Sequence, residues 1–260
     1  MNKVALAFMA HPDDAELLCA GTLIRLADDG WTVHIATATA GDCGTMTLGP
    51  ARISAVRTKE ARAAASLIGA SYRCLREKDG FVVHDKPTMR KVIDLLRAAA
   101  PSLVFAHAPR DYMVDHEVAS LLARSAGFLH AAPNVSKLPR RPGSAVPHLY
   151  YCDPLEGIDP LGALVRPTTV VDISGVIGRK TAMLACHKSQ RSWLMAHHGV
   201  DGHLEAMKRH AAARGKLIGR PFAEAFVQHR GHAHPRDDLL AACLGGGGYS
   251  SGAVTRRKAV

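Results

Sequence analysis

The sequence predicts an α/β protein with a mostly parallel sheet flanked by helices. Strand-like and helix-like segments alternate over the first 130 residues. A β-α-β-α order demands parallel strands joined by crossover helices. The early strands are short apolar runs, as buried strands of such a sheet are. The 260 residues, 47% hydrophobic, suit one α/β domain with a real core.

In order, "KVALAFMA" (3–10) reads as a buried strand, and 15–29 as a helix with Leu17, Leu18, Leu23, Ile24 and Leu26 on its apolar face, closed by Gly30. "WTVHIATAT" is a second strand, "GDCGTMTLGP" a Gly-rich loop, and 52–68 an Ala-rich helix ending at Gly69. "YRCLREKDGFVV" is strand-like with an irregular middle, 87–99 a helix opened by Pro87, "SLVFAHA" a short buried strand, and 115–130 a helix. The order is that of a doubly wound, Rossmann-like sheet. After residue 131 a Pro-rich loop intervenes. Strands "HLYYCD" and "TTVVDIS", helices over 175–187 and 200–215, and a last strand "EAFVQH" then form a smaller C-terminal α/β portion that completes the pocket. The expected organisation is one domain over 1–240 and a flexible basic Gly/Ser-containing tail over 241–260.

No apolar run is long enough for a membrane span, and no secretory leader pattern opens the chain, so the expected compartment is the cytoplasm. Six cysteines are scattered without a CxxC pair, which argues for reduced thiols over a zinc ribbon or a disulfide framework. The formal charge of +10 raises nucleic acid as a partner, but the basic residues are dispersed, and diffuse positive charge equally suits acidic small substrates and solubility.

The chemistry concentrates at strand ends, where open α/β sheets bind ligands. The first strand runs directly into His11, Pro12, Asp13 and Asp14. Read locally, Asp13 and Glu16 could form a capping box. A second junction, "SLVFAHAPRDYMVDHEVA", carries His107, Asp111, Asp115 and His116. One histidine and one aspartate from the first junction, with a histidine from the second, make a three-ligand site with an open position for water. Zinc suits such a site best, and other divalent transition metals also fit. The spare aspartate would serve as a base.

These residues resemble a family. "AHPDDAELLCAGTL" is similar to the signature of the LmbE-like, or PIG-L, zinc-dependent N-deacetylases of N-acetylglucosaminyl compounds, and "VRTKEARAAASLIGA", "REKDG", "PRDYMVDHEVA" and "KTAMLACHKSQ" extend the likeness over most of residues 3–230. The resemblance implies that His11, Asp14 and His116 bind Zn2+, that Asp13 is the general base, and that Asp115, beside a ligand histidine, supports the site from behind. It implies that Arg57 and Asp79 face substrate, with the Gly41–Gly44 loop, including Asp42, on the same sheet edge, and it puts His187 near the pocket, either lining it or serving the structure. The implied reaction removes an acetyl or other acyl group from an N-acetylglucosamine-like amino sugar or conjugate. The rival readings are an amidase for a non-sugar amide and a non-hydrolytic sugar- or nucleotide-binding protein. A homo-oligomer is compatible with the family.

One departure stands out. The family's second motif often reads D-x-H-x-D-H, its first histidine stabilising an oxyanion, whereas this chain has Met113 there, in a DYM-x-DH form. A thioether donates no hydrogen bond. Tyr112, His107, His187 and His229 are the candidates to replace that donor, and Tyr112 is also a candidate substrate contact. Of the remaining histidines, His197, His198 and His203, with Asp201 and Glu205, could hold a second metal, but Gly199 and Gly202 disrupt a common helical face; His229, His232 and His234 are expected at the pocket rim.

Overall fold

A computed structural model describes residues 2–141, 144–191, 193 and 202–244. Among the described residues seven strands form one sheet: β1 (Val4–Met9), β2 (Thr32–Thr39), β3 (Ser71–Glu77), β4 (Leu103–Ala106), β5 (His148–Cys152), β6 (Thr169–Asp172) and β7 (Ala223–Gln228), in the order β3-β2-β1-β4-β5-β7-β6. β3, β2, β1, β4 and β5 are mutually parallel, so their carboxyl ends share one edge. β7 runs antiparallel to both β5 and β6.

Both faces of β1 are buried. Ala5, Ala7 and Met9 pack on one side with Leu23, Ile24 and Leu26, and Leu6, Phe8 and Ala10 on the other with Val92, Ile93, Leu96, Ala119 and Leu122. Successive strand residues point to opposite faces, so an unbroken apolar run is the pattern for a strand covered twice.

The helices are α1 (Asp14–Leu18), α2 (Ala20–Asp28), α3 (Pro50–Ser66), α4 (Lys86–Ala99), α5 (Val114–Leu129), α6 (Ile177–Leu184), α7 (His203–Gly215) and α8 (Leu239–Leu244). The helix expected over 15–29 is two helices, broken at Cys19. The break frees the amides of Gly21 and Thr22, which donate to Glu224 at 2.8 and 2.7 Å. A carboxylate at a helix N-terminus satisfies orphan donors and opposes the positive end of the dipole. α3 starts two residues before its expected bound because Pro50 suits a first turn. α4 is capped by Asp85, which accepts from the Thr88 amide at 2.8 Å. The helix expected over 175–187 is a 3-10 turn, Ser174–Val176, followed by α6.

α8 crosses the boundary expected at residue 240. Leu239 and Leu240 are buried, and the Leu244 carbonyl accepts from Arg25 at 2.7 Å. The rest of the expected tail, 245–260, lies outside the described residues, as do His197, His198 and Asp201. Among the described residues no helix is long and apolar enough to cross a membrane.

Candidate metal centre and active site

The site sits on the carboxyl edge, between the tips of β1 and β4. The chain leaves β1 through a tight turn in which Asp13 takes φ 96° and ψ −22°, a left-handed conformation that L-residues rarely adopt. The His11 amide donates to Asp14 Oδ2 at 2.7 Å. Asp13 makes no capping bond with its side chain, which rejects the capping-box reading; Arg57 Nη2 donates to its Oδ1 at 3.3 Å. The turn thus sends two adjacent carboxylates opposite ways, Asp14 towards the histidines and Asp13 towards the arginine.

His11, Asp14 and His116 each offer a ligand atom, all within 4.8 Å of one another. His116 Nδ1 bonds Asp111 Oδ1 at 2.9 Å, leaving Nε2 facing Asp14 Oδ1 at 3.7 Å. His11 Nε2 lies 3.1 Å from Asp79 Oδ1 and 3.3 Å from Asp115 Oδ2, leaving Nδ1 3.4 Å from Asp14 Oδ2. Each imidazole therefore gives one nitrogen to a supporting carboxylate and keeps the other for the common point. Metal-binding histidines are held in this way. Two nitrogens and one carboxylate fit a divalent transition metal, so these residues can hold one.

His107 lies underneath, fully buried and stacked on His116 with ring centroids 3.9 Å apart. Its Nε2 is 3.1 Å from the Ala10 amide nitrogen and 3.0 Å from Asp14 Oδ2. Burial and the neighbouring His116 hold its pKa below the usual histidine value. Burial also opposes charge on His11, but its bonds to Asp115, Asp14 and Asp79 override this and raise its pKa. For Asp13, burial dominates and lifts the pKa to about 6; Arg57 pulls it down and Asp14 pushes it up.

The other sequence-predicted residues divide. Arg57 is buried, and besides Asp13 it donates to the Pro12 carbonyl at 2.9 Å and the Gly41 carbonyl at 3.2 Å, clamping the β1 and β2 tips together. Asp79 is turned towards His11 and also accepts from the Cys43 amide at 3.1 Å. Asp42 accepts from the Asp79 amide and pairs with Lys78. His187 is buried behind the turn, its Nε2 3.5 Å from Glu16 Oε1. Tyr112 is 66% exposed and meets His116 edge-on at 5.2 Å. Met113 caps α5, its carbonyl accepting from the His116 amide at 3.0 Å. Asp115 Oδ2 lies 3.3 Å from His11 Nε2, and the carboxylate also accepts from the Gly80 and Val82 amides. His229 bonds the Tyr151 hydroxyl at 3.1 Å and stacks edge-on against His234. The roles of Asp111 and of Glu16 were not anticipated. Position within the "RDYMVDH" junction is the only sequence signal for Asp111.

Residues 6–127 match the family model described as PIG-L: GlcNAc-PI de-N-acetylase. Over that stretch the chain is similar to the PIG-L family domain. A relative, the 4-oxalmesaconate hydratase of Pseudomonas putida, is 28% identical over 200 residues, which is 73% of this chain and 74% of that protein. The structure of GalB, the 4-carboxy-2-hydroxymuconate hydratase from Pseudomonas putida, is 25% identical with a TM-score of 0.72, covering 92% of this chain and 100% of that one. The N,N'-diacetylchitobiose deacetylase from Pyrococcus horikoshii is 24% identical with a TM-score of 0.75, covering 91% of this chain and 88% of that one, and shares the fold. Among these, the likeness at 25% identity or more is thus to a hydratase, and the likeness to the deacetylase is one of fold.

Proposed function

We propose that this chain is a zinc-dependent hydrolase that removes the acetyl or other acyl group from a small N-acetylglucosamine-like amino sugar or conjugate. The observation that carries the reading is the divided turn: Asp14 joins His11 and His116 at one point, while Asp13, held by Arg57, stays off that point. When bound, the cation supplies charge that acidifies water and polarises a carbonyl.

Asp13 takes the proton from a water that adds to the acyl carbon. The C–N bond then breaks, and Asp13 returns the proton to the departing amine, giving a carboxylate and a free amino sugar. A carboxylate with a pKa of about 6 is mostly ionised at neutral pH and still basic enough to accept that proton. Arg57 fixes the Asp13 rotamer. The six unpaired thiols support action in the reducing cytoplasm.

The test is Asp13→Ala in protein loaded with Zn2+. Acetate release from a panel of N-acetyl amino sugars should fall by at least about 10³-fold, with metal content unchanged. Turnover retained in the variant would remove Asp13 from this role.

A second reading has its own support. A Pseudomonas putida hydratase is similar to this chain in sequence and in structure, and the chain has Met113 and a formal charge of +10, which suits an anionic substrate. In hydration the same Asp13 deprotonates water that adds to a conjugated carbon–carbon double bond of an unsaturated carboxylate. Loss of the conjugated ultraviolet absorbance without acetate release selects hydration, and acetate release selects hydrolysis.

A further inference from the structure

We propose that Tyr112 donates the hydrogen bond to the substrate oxygen that gains negative charge in the reaction. The proposal rests on the reading above, in either form. Water adding to an amide carbon leaves charge on the carbonyl oxygen, and water adding to a conjugated double bond leaves it on an enolate oxygen. Both charges are stabilised by a donor placed in advance.

The described side chains around the site leave few choices. Each ligand histidine has one nitrogen on a carboxylate and the other towards Asp14. His107 is fully buried beneath His116 and engaged with Ala10 and Asp14. Arg57 is 4% exposed and spends both terminal nitrogens on Pro12, Gly41 and Asp13, and His187 is 1% exposed behind the turn. His229 is engaged with Tyr151. Met113 and Val114 carry no polar hydrogen.

Tyr112 differs from all of these. It is 66% exposed, and its ring meets His116 edge-on, 81° from parallel. Its backbone is fixed on both sides, because Asp111 bonds His116 and Glu117 while Met113 caps α5. A donor on so anchored a stretch is positioned without help from substrate. A phenol keeps its proton at neutral pH, so its O–H is free to donate. The O–H donates and keeps its proton, and no proton is consumed.

The experiment compares wild type with Tyr112→Phe, both loaded with Zn2+. Methylphosphonate, a tetrahedral anion, is titrated calorimetrically into each. The variant should bind at least about 10-fold more weakly, with equal zinc content. Its kcat should fall about 10²-fold while KM stays within about 3-fold, and Tyr112→His, which restores a donor, should recover part of both losses. Equal methylphosphonate affinity in wild type and Tyr112→Phe overturns the proposal. A wild type that neither releases acetate nor hydrates a conjugated acid overturns the functional reading instead, and the phosphonate titration still decides on Tyr112.

Discussion

At Asp13 the chain tolerates a left-handed backbone at a non-glycine residue, and Arg57 is what holds it there. The guanidinium bonds the carbonyl just before Asp13 and the carboxylate itself. Gly41 has φ 66°, and a Cβ on it would sit 2.1 Å from Arg57 Nη1, so the glycine keeps the arginine's seat open. Arg57→Met removes the cation that lowers the Asp13 pKa, so that pKa rises further above its present value of about 6. A base must be ionised to act, so the acidic limb of kcat/KM should move to higher pH; a limb that stays put or moves down rejects the pairing. Gly41→Ala should move the limb the same way. Asp111→Asn is expected to weaken zinc affinity about 10- to 100-fold, read by competition with a chelator, because His116 loses its charged support. The meeting of His11, Asp14 and His116 was legible because a His-x-x-Asp turn after a buried strand opens on the sheet edge. Asp115 was expected as a support, but its partner and the role of Asp111 were not. Asp115 and His116 are neighbours in sequence, but adjacent positions on a helix do not face each other. Asp115 therefore reaches His11 across the site, and the loop residue Asp111 reaches back to His116.

Among the elements, the break between α1 and α2 depends on one carboxylate from the far end of the chain. Glu224 on β7 accepts from the Gly21 and Thr22 amides, from the Thr22 hydroxyl at 2.6 Å, and from Lys180 Nζ of α6 at 2.5 Å, with both charged side chains buried. One network thus ties β7, α2 and α6 behind the turn that carries the site. No local signal could announce it, since its partners are separated by as many as 203 residues. Removing one charge from a buried pair strands the other, at a cost of about 3–5 kcal/mol. Glu224→Gln should therefore lower stability in urea by that order, and Glu224→Met/Lys180→Met should recover part of the loss, because neither charge is then left alone. A single variant as stable as wild type would show that the pair is not needed to hold the break.

Across the whole molecule, the parallel half was legible because a β-α-β alternation admits few topologies. The insertion of β7 between β5 and β6 was not, because antiparallel pairing between strands distant in sequence leaves no periodic mark on either. The same long-range packing creates an acid sensitivity away from the catalytic edge. His130 ends α5, 1% exposed, with Nδ1 2.9 Å from the Gly127 carbonyl oxygen, while Arg97 donates to the His130 carbonyl at 2.9 Å and wraps the following loop through Ala132, Ser136 and Leu138. Burial, reinforced by the Arg97 charge, holds the His130 pKa below its ordinary 6.5. The unfolded chain then takes up this proton more readily than the folded one. The stability contribution is whole above about pH 6.5 and is lost as pH falls through the lower, folded-state value. Histidines elsewhere titrate in the same window, so the quantity to measure is a difference. His130→Gln can still bond the Gly127 carbonyl but cannot charge. Its stability in urea relative to wild type should be constant above pH 7.5 and should improve steadily as pH is lowered from 6.5 to 5. A difference that stays constant over the whole range would mean that His130 protonates as easily folded as unfolded, and that the acid sensitivity does not reside at this helix end.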